Sequence, residues 1–246
     1  MSAIPASTTV GQLVAERPAR ARLFEKLRID YCCGGKQSLQ EACATRGIDI
    51  DVVQQALEAF DEARTASPAG QDADWQNASM TDLAYHIEQT HHQYLRAELP
   101  RLQMLIRKVA HAHGSRYPWV VQIESIFAGL VEELTSHMLK EERILFPVVR
   151  QMEQGGRPAG GDVQSGIAGP IDVMEHEHDA AGSALERMHE LSDGYTPPQG
   201  ACNTFLAMLD GLRELEADMH VHVHKENNVL FPRALELERK LKADVA

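Results

Sequence analysis

The sequence is short of cysteine, aromatic residues and positive charge, and these shortages exclude several classes of protein. Its 246 residues include 4 cysteines with no Cys-x-x-Cys pair, which argues against a disulfide-built secreted domain. Lys and Arg number 24 against 36 Asp and Glu, and the formal net charge of −12 repels nucleic acid and anionic membranes. There is no apolar run of roughly 18 residues, as a membrane span needs, and no signal-peptide pattern at the N-terminus. We expect a cytoplasmic protein with no nucleic-acid or membrane partner.

Helical periodicity and Gly/Pro-rich stretches divide the chain into three parts. Residues 1–65 predict a small helical domain, interrupted by the turn Asp-Tyr-Cys-Cys-Gly-Gly-Lys at 30–36. Residues 66–77 are rich in Pro, Gly and small polar side chains, as linkers are. Residues 78–246 hold four long helical patterns joined by modest loops, which predicts an up-down four-helix bundle. The expected fold class is therefore all-α.

The bundle repeats internally, and the repeat contains histidine. His137 and Glu141 are followed by Leu-Phe-Pro, and His222 and Glu226 stand in the same pattern 85 residues later. Residues four apart on a helix lie roughly 40° apart, so each His–Glu pair faces one neighbour. With 12 histidines in the chain, the two copies predict metals that share carboxylates in the bundle core. Iron, manganese and zinc all accept these ligands.

Helical spacing alone leaves the other histidine ligands open. The alternatives, helix by helix, are His91 or His92, His176 or His178, and His220, His222 or His224. On the fourth helix only His222 has a Glu four residues later, and it is also the residue that aligns with His137.

Acidic residues one turn before the paired histidines form a candidate outer layer. Glu133 precedes His137 by four residues, and Asp218 precedes His222 by four, again 85 residues apart. Each carboxylate could accept the distal imidazole proton and orient the ring. Glu177, on the third helix, is another acidic candidate near the site. The alternative for these residues is a solvated helix face.

The bundle resembles the haemerythrin-like superfamily, and from Thr8 to about Leu235 the chain resembles the iron-sulfur cluster repair di-iron proteins. The resemblance rests on the turn at 30–36, Gly-Pro-Ile at 169–171, Glu-His-Asp at 177–179 and Glu-Asn-Asn-Val-Leu-Phe-Pro-Arg at 226–233. It implies two non-haem irons, oxo- or carboxylate-bridged. The ligands it implies are His92, His137, Glu141, His178, His222 and Glu226, with the two glutamates as bridges.

The same resemblance implies a function in repairing iron-sulfur clusters damaged by nitrosative or oxidative stress, by supplying iron. The expected partners are damaged iron-sulfur proteins and small ligands such as NO or O2, and a homodimer is compatible with the sequence. The alternatives are a protein that sequesters nitric oxide and a sensor of oxygen or iron. A non-enzymatic metal-binding protein is favoured over a catalyst, because the sequence shows no dedicated electron-transfer motif.

Cys32 and Cys33 form a candidate thiol site in the N-terminal turn. Adjacent cysteines are poorly placed for an unstrained disulfide with each other, and the two following glycines permit a sharp turn. The resemblance favours a mobile thiol pair that handles iron, nitric oxide or electrons. The alternative is a structural turn with one buried thiol.

Overall fold

The computed structural model describes residues 4–65, 74–156 and 166–243, with the side chains of 62–65 left out, and its regular structure there is helical. The N-terminal unit is a set of short helices. They are α1 (Val10–Glu16), a 3-10 turn (Pro18–Arg20), α2 (Ala21–Leu27), α3 (Leu39–Arg46) and α4 (Ile50–Thr65). The all-α prediction is confirmed.

Three of the four bundle helices contain one turn of π-helix between two α-helical parts. In chain order the elements are α5 (Met80–Ile87), π-segment Glu88–His92 and α6 (Gln93–His113); α7 (Pro118–Lys140), π-segment Glu141–Leu145 and α8 (Phe146–Glu153); α9 (Ala168–Leu191); and α10 (Asn203–Lys225), π-segment Glu226–Leu230 and α11 (Phe231–Ala243). Short π-helical turns occur most often at functional sites.

Local sequence explains where the bundle helices begin. The Ser79 side chain accepts a hydrogen bond from the Asp82 amide at 2.9 Å and so caps the start of α5. Pro118 is the first residue of α7, where its missing N–H costs nothing. α9 begins at Ala168. α6 continues through Pro100, and the departure from α-helical geometry lies at Glu88–His92 instead.

The N-terminal unit packs on the bundle through a shared hydrophobic core. Leu13, Phe24 and Tyr31 belong to the same buried cluster as Leu185 and Leu212 of the bundle. Burial of this common apolar surface stabilises the contact between the two parts of the chain. The turn at 30–36, called the thiol turn below, therefore lies against the bundle, with Tyr31 and Cys32 in this shared cluster.

The predicted linker, 66–77, falls mostly outside the described residues, which resume at Asp74. The described end of it lies on the bundle, because Arg233 donates hydrogen bonds to the carbonyls of Trp75 (2.7 Å) and Ala78 (2.6 Å). Over the part of the chain that the structure describes, no helix has the length and apolarity to cross a membrane.

Candidate metal centre

Four histidines and two glutamates converge in the core of the bundle, and each is at most 3% exposed. They are His92, His137, Glu141, His178, His222 and Glu226, the six residues that the resemblance implies as ligands. All four bundle helices contribute, with a His–Glu pair from each of two helices and a single histidine from each of the others.

Each glutamate faces two histidines, one with each carboxylate oxygen. Glu141 Oε2 lies 3.3 Å from His92 Nε2, and Glu141 Oε1 lies 3.3 Å from His137 Nε2. Glu226 repeats the arrangement, with Oε2 at 3.1 Å from His178 Nε2 and Oε1 at 3.0 Å from His222 Nε2. All four rings thus point Nε2 at the same space between the carboxylates.

The donor atoms form two groups that share both glutamates. One group is His92, Glu141, His222 and Glu226, and the other is His137, Glu141, His178 and Glu226. Within each group the candidate ligand atoms lie within 4.8 Å of one another. Buried atoms without a hydrogen-bond partner in the described chain include His92 Nε2, both Glu141 oxygens and Glu226 Oε2. Such orphaned donor atoms fit a bound cation, since burying them unpaired is costly.

The electrostatics of the cluster keep both carboxylates charged. Burial and Glu226 raise the pKa of Glu141, but His137 and His92 outweigh them and lower it to about 2. Burial also raises the pKa of Glu226, but the neighbouring imidazoles hold it well below its usual value. Burial lowers the pKa of His137, and Glu141 outweighs this and raises it to about 10. The buried negative charge therefore requires protonated imidazoles or a metal cation as its counterpart.

The histidines that spacing left open lie outside the cluster. His176 is exposed, and His220 lies next to the Tyr31 ring, 6.2 Å away between centroids. His224 is buried, but its Nδ1 lies 3.4 Å from the Tyr31 carbonyl, at the domain interface. His91 is also buried, and it contacts Asp218 and Lys225 through its two nitrogens, at 2.8 Å each.

An outer layer of hydrogen bonds orients three of the four rings. His92 Nδ1 donates to Glu142 Oε1 at 2.7 Å, and Arg96 holds that carboxylate from the other side. His178 Nδ1 donates to Asn227 Oδ1 at 2.8 Å. His137 Nδ1 donates to Glu177 Oε2 at 2.8 Å. Such partners fix which nitrogen faces the metal.

Glu142 and Asn227 were missed by the sequence analysis, although a signal was present. Each follows the glutamate of its repeat directly, so the two positions are 85 residues apart. The same holds for the phenylalanines of the two Leu-Phe-Pro stretches. Phe146 stacks on His92 with centroids 5.9 Å apart, and Phe231 stacks on His178 at 6.0 Å.

Two predictions for the outer layer are wrong, and one names the right residue. Glu133 is exposed, because Leu134 takes the inward position on that turn, and the partner of His137 is Glu177 instead.

Asp218 does not orient His222. Its Oδ1 accepts from His91, whose ring stacks on His222 with centroids 5.0 Å apart and planes 3° apart. In the described chain His222 Nδ1 has no hydrogen-bond partner.

The thiol turn borders the metal cluster from outside the bundle. Cys33 Sγ lies 3.5 Å from the carbonyl of His178, and Cys32 is buried. Hydrogen bonding with Cys33 and burial raise the pKa of Cys32 well above its usual value, so this thiol is protonated at neutral pH. A cavity of about 490 Å³ between the turn and the bundle is lined by both cysteines, of which Cys33 is the more exposed. The predicted thiol site therefore lies beside the third bundle helix, and its role in handling iron, nitric oxide or electrons stays a prediction.

Comparison with known proteins accounts for both parts of the chain. Residues 83–234 match the hemerythrin HHE cation-binding domain, and residues 6–61 match ScdA_N, a domain of unknown function (DUF542). The hemerythrin match covers the whole candidate metal centre and so supports cation binding at this bundle.

Full-length relatives are also found. The iron-sulfur cluster repair protein YtfE of Pectobacterium atrosepticum is 37% identical to this chain, and that of Dickeya chrysanthemi is 38% identical. The protein of the same name in Yersinia pseudotuberculosis is 39% identical. Each alignment covers 92% of this chain and 96% of the relative. The chain therefore belongs to the family of the YtfE iron-sulfur cluster repair proteins, built from a hemerythrin HHE cation-binding bundle behind an ScdA_N domain.

Proposed function

We propose that this protein restores iron-sulfur clusters damaged by nitrosative or oxidative stress, as an iron donor that holds two bridged irons. The relatives described above are named for cluster repair, and the alignments with them span both domains. The proposed ligands are His92, His137, Glu141, His178, His222 and Glu226. Its proposed partners are damaged iron-sulfur proteins, with NO or O2 as small ligands.

The observation that carries the proposal is the sharing of Glu141 and Glu226 by two histidine pairs. A single metal needs only one such group, whereas two carboxylates with one oxygen directed to each side suit a pair of metals. Iron bound there supplies an exchangeable cation, and the four protein ligands of each group leave positions for water or a small ligand.

The protein's own residues hold this site ready for metal. Glu142, Glu177 and Asn227 fix three imidazoles with Nε2 inward, which lowers the cost of ordering them when metal binds. Phe146 and Phe231 cover two of the rings and limit contact with bulk water. The four free cysteines fit a reducing compartment, and we place the protein in the cytoplasm on that ground.

The test is a repair assay on an iron-sulfur enzyme inactivated by NO. NO is removed first, and only then is the iron-loaded protein added. A protein that only sequesters NO therefore gives no recovery of enzyme activity in this assay. We expect the wild type to restore enzyme activity and Glu226→Ala to fail. Glu133→Gln, at an exposed position, is the matched control and should act like the wild type. Recovery only when the protein is present during NO exposure would instead establish the sequestering alternative.

A second arm asks whether the thiols take part. Cys32→Ser combined with Cys33→Ser removes both thiols of the turn and leaves all six proposed metal ligands in place. We expect normal iron content with impaired repair in this variant. Repair at the wild-type rate would assign the turn a structural role only.

A further inference from the structure

The side chain of Asn228 occupies a slot between two glycines of the N-terminal domain. A Cβ atom added to Gly11 or to Gly35 would lie 2.1 Å from Asn228 Oδ1. The backbone of Gly35 is outside the left-handed region, so the residue is not required for an unusual φ. Glycine is required there because the Asn228 side chain needs the space.

Within this slot Asn228 is bonded to the backbone that carries the thiols. Its Nδ2 donates to the carbonyls of Tyr31 at 3.2 Å and Cys32 at 3.0 Å. A further contact on the same side is the ion pair between Lys36 and Glu175, at 2.7 Å. These bonds place the thiol turn in contact with α9, where Cys33 Sγ lies next to the His178 carbonyl.

The π-helical segment that carries Asn228 also carries metal-site residues. Glu226 belongs to both candidate metal groups, and Asn227 holds the ring of His178. Three consecutive residues thus have three different contacts. Glu226 lies in the candidate metal cluster, Asn227 contacts the His178 ring, and Asn228 contacts the thiol turn. Glu141 and Glu226 are buried like charges that repel each other, and a cation between them relieves the repulsion. A metal should therefore fix the segment in the position described.

We propose that Asn228 is a positioning residue that ties the Cys32–Cys33 turn to the metal site, so that metal bound in the bundle holds the thiol pair in place. The inference rests on the proposed metal site. By linkage, docking of the turn must strengthen metal binding by the same factor as metal strengthens docking.

The internal repeat supplies a matched control. Arg143 occupies the position 85 residues before Asn228, two residues after Glu141, and it is exposed. Substituting it changes the equivalent site on the half of the bundle that does not hold the turn.

The experiment measures alkylation of each cysteine by mass spectrometry, in iron-loaded and iron-free full-length protein. Exposed Cys202 serves as the rate reference, and buried Cys43, in the N-terminal core, reports unfolding of that domain. For the wild type we expect iron to slow alkylation of Cys32 by about tenfold relative to Cys202, within the usual range of coupling between sites.

Two variants break the link in different ways. Asn228→Asp keeps the size of the side chain but removes both Nδ2 donors, and Asn228→Ala empties the slot. In each, we expect the effect of iron on Cys32 to fall below about twofold while Cys43 stays unlabelled. Arg143→Ala should retain the full effect.

Several results would overturn the inference. Equal protection of Cys32 by iron in the wild type and both Asn228 variants would remove the role of Asn228. Iron uptake by the wild type without any protection of Cys32 would refute the inference alone, whereas a wild type that takes up no iron would refute the proposed function together with it. Labelling of Cys43 together with Cys32 in both Asn228 variants would also overturn it, because Asn228 would then support the fold of the whole N-terminal domain and not the position of the turn.

Discussion

The two halves of the bundle share a plan and differ in what surrounds it. In both, a His–Glu pair faces the core, and the residue after the glutamate orients the single histidine of the preceding helix. That residue is Glu142 in the first half and Asn227 in the second. One acceptor is a carboxylate and the other is a neutral amide, so the two single histidines, His92 and His178, have electrically unequal partners.

A second difference concerns the residue before each single histidine. Glu177, before His178, accepts a hydrogen bond from His137 Nδ1, and Lys140 pairs with the same carboxylate. The equivalent residue in the other half is His91, which stacks on His222 and bonds to Lys225 and Asp218. Glu177 therefore supports the His137 ring with a charged hydrogen-bond acceptor, whereas His91 supports the His222 ring by stacking on it. The two halves thus share the His–Glu pattern and differ in the residues of the outer layer.

The largest expected effect is loss of a shared glutamate. Glu141→Ala and Glu226→Ala should each empty both metal positions, because either residue belongs to both groups. Losing only an outer hydrogen-bond partner costs about 10- to 100-fold in affinity, so a lost bridge should cost more than about 100-fold. Iron analysis after reconstitution checks this. Retention of one iron by either variant would show that the glutamates are not shared.

The next effect separates the histidines of the fourth helix. His222→Ala should lose most of its iron, while His220→Ala and His224→Ala should largely keep it, because only the His222 ring lies in the cluster. Iron content and the optical spectrum of the oxidised protein provide the measurement. An empty site in His224→Ala with a full one in His222→Ala would reverse the assignment.

A smaller effect on iron affinity distinguishes Glu177, which contacts His137, from His91, which contacts His222. Glu177→Gln should weaken iron binding by about 10-fold, because it removes the charge that orients His137. His91→Gln should weaken it by less than about threefold, since His91 stacks on His222 without a hydrogen bond to its Nδ1. Competition with a ferrous chelator gives both values. Equal losses of iron affinity in the two variants would show that Glu177 and His91 contribute equally to iron binding.

The smallest expected effect is at Glu133. Because this side chain is exposed, Glu133→Gln should change the free energy of unfolding by no more than about 0.5 kcal/mol and leave iron affinity unchanged. Thermal unfolding and chelator competition test this. A clear loss of iron affinity in this variant would show that Glu133 supports His137, as the sequence analysis predicted.

Periodic and repeated features were predictable from the sequence, and features that depend on neighbouring helices were not. The helix pattern and the two His–Glu pairs follow from local spacing. The partner of His137 could not be found this way, because Glu177 reaches it from another helix. Gly35 illustrates the same limit. Its role depends on a side chain 193 residues away, Asn228.

The central claim is that Glu141 and Glu226 are shared between two adjacent metals. Mössbauer spectroscopy of the iron-reconstituted wild type, combined with an iron count, tests it most directly. We expect about two irons per chain, the number that carboxylate-bridged bundle sites hold, and magnetic coupling between them in the oxidised protein. One iron per chain, or two with the spectra of isolated ions, would contradict it.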